Sequence, residues 1–120
     1  MLEIIQGMPD NVVAVSASGK VTGEDYDYLL IPLIEGKLKT LKKVRVLYVL
    51  GPEFTDFTAG AMWDDAKIGL RHFTAYERIA MVTDVNWILG AVKFFTFMFP
   101  CPVRIFGNER LSEAMAWISE

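Results

Sequence analysis

Few residues in this 120-residue chain could carry acid–base, nucleophilic or metal chemistry: one histidine, His72, one cysteine, Cys101, and the neighbouring carboxylates Asp64 and Asp65. His72 lies between Arg71 and Phe73, and no HExxH pattern, second histidine or cysteine pair completes a metal site around it. At a helix end its partial charge suits the C-terminal dipole. Asp64 and Asp65 are adjacent, so on a helix their side chains diverge by about 100° and do not readily share a proton or a metal ion. A solvated edge beside Lys67 is the expected place for both. Cys101, between Pro100 and Pro102, has no basic neighbour to lower its pKa and reads as buried and inert. Asp84 reads as the N-cap of the helix carrying Trp87. Gly51, Pro52 and Gly60 form neither a GxxxxGK[ST] nor a GxGxxG phosphate cradle. These patterns argue against an enzyme, a metal site or a cofactor.

The elements that position these residues belong to one domain spanning residues 1–120, since 13.5 kDa suffices for a single core and not for two. The formal charge is -3, and no Lys/Arg run of the kind that neutralises phosphates is present, which argues against a nucleic-acid partner. A lone cysteine excludes an intrachain disulfide and suits a reducing compartment. MLEIIQGMPDN does not look like a secretory signal, and no apolar stretch approaches the roughly 18 residues of a spanning helix. A cytoplasmic location is therefore expected. Yet 52% of the residues are hydrophobic and the mean hydropathy is +0.30, so apolar surface should remain once the core is filled.

Strands are expected at Leu2 to Gln6 and Val12 to Ala17, joined through Pro9-Asp10-Asn11 as a hairpin. Thr22, with Asp25 three residues on, should cap a helix whose buried stripe is Tyr26, Leu29, Leu30, Leu33 and Leu41 and which Pro32 should kink. VRVLYVL, Val44 to Leu50, reads as a strand covered on both faces, and GPEFTDF as a loop after it. In the next helix, Thr58 to about His72, the residues Ala59, Met62, Trp63, Ala66 and Leu70 share one face. A strand at Arg78 to Thr83, the segment Val85 to Phe99 as a third helix, a strand at Val103 to Phe106 and a helix capped by Asn108 complete the chain. That last helix should turn Leu111, Ala114, Met115 and Ile118 inward. Strands alternating with helices after a hairpin give an α/β fold: a single mixed, mostly parallel sheet of about five strands with about four α-helices.

The third helix carries more apolar surface than its position requires. Trp87, Ala91, Phe94 and Met98 form one stripe, and Ile88, Val92, Phe95 and Phe99 repeat it one residue later, rotated by about 100°. With Val85 and Leu89 the hydrophobic arc covers roughly 220°, against little more than about 100° for a helix lying on a sheet. Phe97 interrupts the polar face of Asn86, Gly90, Lys93 and Thr96. One stripe should cover the sheet. The other should meet a neighbouring helix or remain accessible to a small non-polar ligand, a lipid surface or a second subunit. Pro100 and Pro102 end the helix in a stiff joint, on which it could swing as a lid.

Across this order of elements, several short stretches carry a resemblance. They are Gly19-Lys20-Val21-Thr22 with Asp25-Tyr26, the run Gly60 to Lys67, Phe73, Glu77-Arg78-Ile79-Ala80, Asp84 with Trp87, and Glu113 to Trp117. Together they resemble the STAS fold of anti-sigma factor antagonists, and more closely the branch called SpoIIAA-like proteins. The resemblance implies a bacterial module that binds apolar ligands or membrane surfaces through its third helix, at the inner membrane face when peripheral. The residues concerned would be Trp87, Ile88, Ala91, Phe94, Phe95, Phe97, Met98 and Phe99. Phosphorylatable antagonists of this fold carry Asp-Ser-Ser-Gly in the strand-to-helix loop, which implies a signalling alternative: a regulatory-protein partner engaging Asp56, Phe57 and Thr58 and switched at Thr58. Here the stretch reads Asp56-Phe57-Thr58-Ala59-Gly60, with Phe57 and Ala59 in place of a serine and the glycine, and Thr58 reads as an N-cap ahead of a phosphorylation site.

Overall fold

A computed structural model describes the backbone of residues 1–95 and 99–120, and the side chains of these apart from Phe94 and Phe95. The chain runs β1 (Leu2–Ile4), β2 (Val12–Val21), α1 (Gly23–Asp25), a π-helical turn (Tyr26–Leu30), α2 (Ile31–Leu38), β3 (Val44–Phe57), α3 (Ala59–Arg71), β4 (Tyr76–Val82), α4 (Asn86–Phe95), β5 (Val103–Phe106), a 3-10 turn (Asn108–Arg110) and α5 (Leu111–Ser119). The strands form one five-stranded sheet in the order β1-β2-β3-β4-β5. β1 pairs antiparallel with β2, and every other pair is parallel. The mixed, mostly parallel α/β sheet expected from the pattern is thus observed.

Alternation along the central strands divides the core in two. Val13, Val15, Val44, Val46, Tyr48 and Leu50 point to one face, where Tyr26, Leu30 and Ile34 from α1–α2, Ala61 and Ile68 of α3, and Ile88 of α4 cover them. Val12, Ala14, Leu47, Val49, Ala80 and Val82 point to the other, covered by Ala114 and Ile118 of α5. Both faces of β3 are therefore dry, which is why Val44 to Leu50 reads as an unbroken apolar run. Each fully buried Val, Leu or Ile contributes roughly 1.5–3 kcal/mol.

Several local features depart from the sequence expectations. GPEFTDF is not a loop: β3 continues to Phe57 and stays paired with a lengthened β2 through Gly19↔Phe54, Lys20↔Asp56 and Val21↔Phe57. Bulges at Gly19, whose φ of 58° suits glycine, absorb the register shifts, while Pro52 lies beyond the reach of β4, where its missing donor is not needed. Pro32 does not simply kink the first helix. The turn before it widens to i→i−5 bonding, with Ile31 N donating to Tyr26 O, so the carbonyls that proline would leave or crowd are rearranged. Thr22 and Asp25 form the expected capping box, Asp25 N donating to Thr22 Oγ1 at 3.3 Å and Thr22 N to Asp25 Oδ2 at 2.8 Å.

Asn108 does not cap α5. It opens the 3-10 turn, with Oδ1 buried and unbonded, and its backbone N donates to Asp84 Oδ1 at 3.1 Å. Asp84 is correspondingly not a helix N-cap; Thr83 Oγ1 accepts from Val85 N instead. The carboxyl end of α5 is held by two arginines of the sheet, Arg45 donating to Ile118 O and Arg78 to Trp117 O, which satisfies carbonyls that a helix end leaves free.

Candidate functional site

Helix α3 has three environments around its axis, set by successive steps of about 100°. Ala61, Asp64 and Ile68 are buried toward the sheet. On one flank α3 is tied to α1–α2 by charge. Asp64 pairs with Lys67 at 3.3 Å and contacts the carboxyl of Asp27, whose pKa that contact raises. Arg71 donates to Glu35 Oε1 at 2.9 Å, holding the Glu35 carboxyl below its ordinary value, and His72 Nε2 lies 3.5 Å from the same oxygen. His72 thus sits at the end of α3, as expected, in a structural ion-pair cluster.

The opposite flank faces α4. Trp87, near the start of α4, packs edge-on against Phe57, the residue just before the N-cap of α3, with centroids 6.3 Å apart. Beyond α4, Phe99 packs edge-on against Tyr76 at 6.0 Å and lies beside Gly69 in the last turns of α3. The two helices therefore run alongside one another. Between those two aromatic contacts, however, the flank of α3 is open: Met62 is 51% exposed, and Asp65 and Ala66 are exposed as well. Phe73, in the turn after α3, is 44% exposed and Trp87 49%. The described contacts between the two segments are thus Phe57 with Trp87 at one end and Gly69 with Phe99 at the other.

The apolar stripe Ala59, Met62, Trp63, Ala66 and Leu70 does share one side of α3, and that side is turned from the sheet. Trp63 and Leu70 are 66% and 63% exposed. On α4 the second stripe meets the sheet, with Ile88 buried and Val85, Val92 and Phe99 packed against the same cluster. Of the first stripe, Trp87 is exposed and Ala91 half-buried. The side chains of Phe94 and Phe95, and Phe97 and Met98 entirely, lie outside the described residues.

Under α3 lies a polar contact that the sequence did not single out. Tyr26 Oη donates to Asp65 Oδ1 at 2.8 Å and lies 3.0 Å from Tyr48 Oη. Because the one hydroxyl hydrogen of Tyr26 is committed to Asp65, Tyr48 is the donor in the second contact. Asp65 is exposed yet has protein on most sides. That desolvation pushes its carboxyl pKa up, against the Tyr26 hydrogen bond, which lowers it. Burial, followed by the negative charge of Asp65, raises the phenols of Tyr26 and Tyr76. Of the two carboxylates expected at a solvated edge, Asp65 is exposed, though held by a buried tyrosine pair, and Asp64 is instead buried against the α1–α2 side.

Asp56 is exposed on β3, and Phe57 packs on the rings of Tyr48, Phe54 and Trp87. Thr58 Oγ1 accepts from Ala61 N at 3.1 Å as the N-cap of α3. Cys101 is half-buried, with its thiol pKa raised by desolvation. Among the described residues, no group of His, Cys, Asp and Glu could hold a metal ion, and no helix is long and apolar enough to cross a membrane.

No curated protein matches the chain. A crystal structure of an uncharacterized protein with a SpoIIAA-like fold from Shewanella loihica PV-4 is similar to it, at 28% sequence identity and a TM-score of 0.77, over 98% of this chain and 92% of that one. The SpoIIAA-like family model matches residues 12–119. With the five-stranded mixed sheet, its helical cover on both faces and a match over nearly the whole length, the chain belongs to the SpoIIAA-like family.

Proposed function

We propose that the chain is a non-enzymatic binding module that holds a non-polar ligand between α3 and α4. The observation that supports this reading is the exposure of the large apolar side chains Met62, Phe73 and Trp87 on and beside α3 and at the start of α4. Covering two or three bulky apolar side chains is worth roughly 1.5–3 kcal/mol each before ordering costs, enough for weak, reversible retention of a small hydrophobic molecule.

A second reading, peripheral contact with a lipid surface, draws on the outward side of α3, where Trp63 and Leu70 are the most exposed apolar residues of the helix. An interfacial helix buries such residues at the boundary of headgroup and acyl chain. The formal charge of -3 keeps electrostatic attraction to anionic lipid weak, so apolar contact would dominate.

The ligand reading is tested with N-phenyl-1-naphthylamine, a dye that brightens in apolar surroundings. The folded protein should brighten it, and Met62→Asp should weaken binding at least about tenfold, equivalent to about 1.4 kcal/mol. A folded wild type that leaves the dye dark contradicts the reading. For the lipid reading, flotation with phosphatidylcholine vesicles compares wild type with a Trp63→Ser, Leu70→Ser double variant. Equal recovery in the soluble fraction removes it.

A further inference from the structure

The geometry points to a second site, a receptor for the phosphate group of a small molecule, in the open cavity where the chain leaves α2 for β3. This cavity, of about 460 Å³, lies between the end of α2 with its connection to β3 and the turn from α3 to β4. Lys39, Thr40, Lys42 and His72 supply its polar lining, and among the described residues no carboxylate lines it. The site is separate from the exposed apolar side chains of α3 and stands independently of the ligand they would hold.

Charge selects the class of ligand. Residues 37–43 read Lys-Leu-Lys-Thr-Leu-Lys-Lys, four lysines without an acid in a chain whose net charge is -3. Lys37 is spent on Asp10, its Nζ donating to the carbonyl at 2.7 Å and lying 3.7 Å from the carboxylate. Among the described residues Lys39, Lys42 and Lys43 have no ion-pair partner, and the first two line the cavity. Two unpaired ammonium groups around one concavity suit a compact anion, and lysine binds phosphate as a point charge. Two helices end beside the cavity, where free carbonyls would repel an anion. Those of Gly36, Lys37, Ile68, His72 and Ala75 are instead occupied by backbone donors: Lys39 N, Thr40 N with Leu41 N, His72 N, Ala75 N and Val44 N in turn. Glu35, 3.5 Å from His72 Nε2, stands outside the lining and is engaged by Arg71 at 2.9 Å. Thr40 Oγ1 reaches Lys37 O only at 3.4 Å, long for a hydroxyl bond, so it can turn to a phosphate oxygen. Size narrows the class further. The volume falls within the roughly 300–1,000 Å³ of small-molecule sites, more than a bare phosphate fills, and Leu38, Leu41 and Ala75 offer the rest of the molecule an apolar wall.

The experiment is an amide NMR titration of the intact protein with phenyl phosphate, inorganic phosphate, phenol and phenyltrimethylammonium. Phenyl phosphate should shift the Thr40, Leu41, Lys42 and Ala75 amides saturably and bind at least about tenfold more tightly than the other three probes. A Lys39→Gln, Lys42→Gln double variant should weaken it at least about tenfold, whereas Lys20→Gln, which removes an exposed lysine on β2, should leave it within about twofold. Flotation with phosphatidylcholine vesicles carrying phosphatidic acid separates the two sources of a phosphate group. Flotation that the double variant loses assigns the group to a lipid head, and phenyl phosphate binding without flotation assigns it to a soluble molecule. The inference is overturned if no lining amide shifts saturably, if phenol or the cation binds as tightly as phenyl phosphate, or if Lys20→Gln weakens binding as much as the double variant does.

Discussion

Asp65 is held by a tyrosine from a π-helical turn and a second tyrosine from the central strand, and its carboxyl carries a measurable signature of that setting. Its folded-state pKa lies above the ordinary 3.8, so the native state binds this proton more tightly than the unfolded chain does. The associated stability is fully present below about pH 3.8 and is lost as pH rises through the folded value. Asp65→Asn removes the titration. Its stability relative to wild type should therefore be higher at pH 7 than at pH 3.5 in urea melts, and a difference independent of pH contradicts the assignment. Thr58 makes a simpler prediction. Because its Oγ1 accepts from Ala61 N, Thr58→Ala should cost about 1 kcal/mol, while Thr58→Ser, which keeps the acceptor, should cost much less. Equal losses in the two variants would mean that the cap is not what the hydroxyl supplies.

Helix α4 carries a glycine, Gly90, near its middle, and a Cβ added there would meet nothing within 4 Å. Gly90→Ala should therefore stabilise the helix by roughly 0.5–1 kcal/mol and slow amide exchange across it. Unchanged or faster exchange would show that packing, not backbone freedom, limits α4. The existence and order of the elements were legible because burial leaves a period: two-sided cover makes Val44 to Leu50 continuous, and Thr22 with Asp25 spells a capping box. The length of β3 was not, because Gly51-Pro52 carries turn chemistry while the real turn signals are absorbed by bulges against β2. The side of α3 facing water was also hidden. Spacing marks Ala59, Met62, Trp63, Ala66 and Leu70 as one stripe, but only the placement of neighbouring helices tells whether a stripe is covered. The same limit concealed the contact of Asp65 with Tyr26, since adjacency to Asp64 says the two side chains diverge and not which partners each one meets. The aromatic surplus of the third helix was legible as a surplus, and its described part divides as the double stripe implies, Ile88 inward and Trp87 outward.

For the molecule as a whole, the mean hydropathy of +0.30 finds its counterpart in where the apolar side chains end up. Both faces of the sheet are filled, and among the described residues five of the eight exposed large apolar side chains, Met62, Trp63, Leu70, Phe73 and Trp87, lie on and beside α3 and at the start of α4, with Met1, Ile4 and Tyr28 elsewhere. Clustered exposed apolar side chains of this kind are the usual mark of a contact site. The helix across the sheet, α5, is instead locked down by Arg45 and Arg78, so binding should leave that face undisturbed. Methyl NMR on protein labelled at its six methionines tests this asymmetry directly, with a nitroxide-bearing alkane as the ligand. The account predicts that the Met62 methyl broadens at substoichiometric alkane while Met8 and Met115, packed on the far face, keep their linewidths. Broadening of Met8 and Met115 ahead of Met62, or no broadening at all, would contradict a ligand site between α3 and α4.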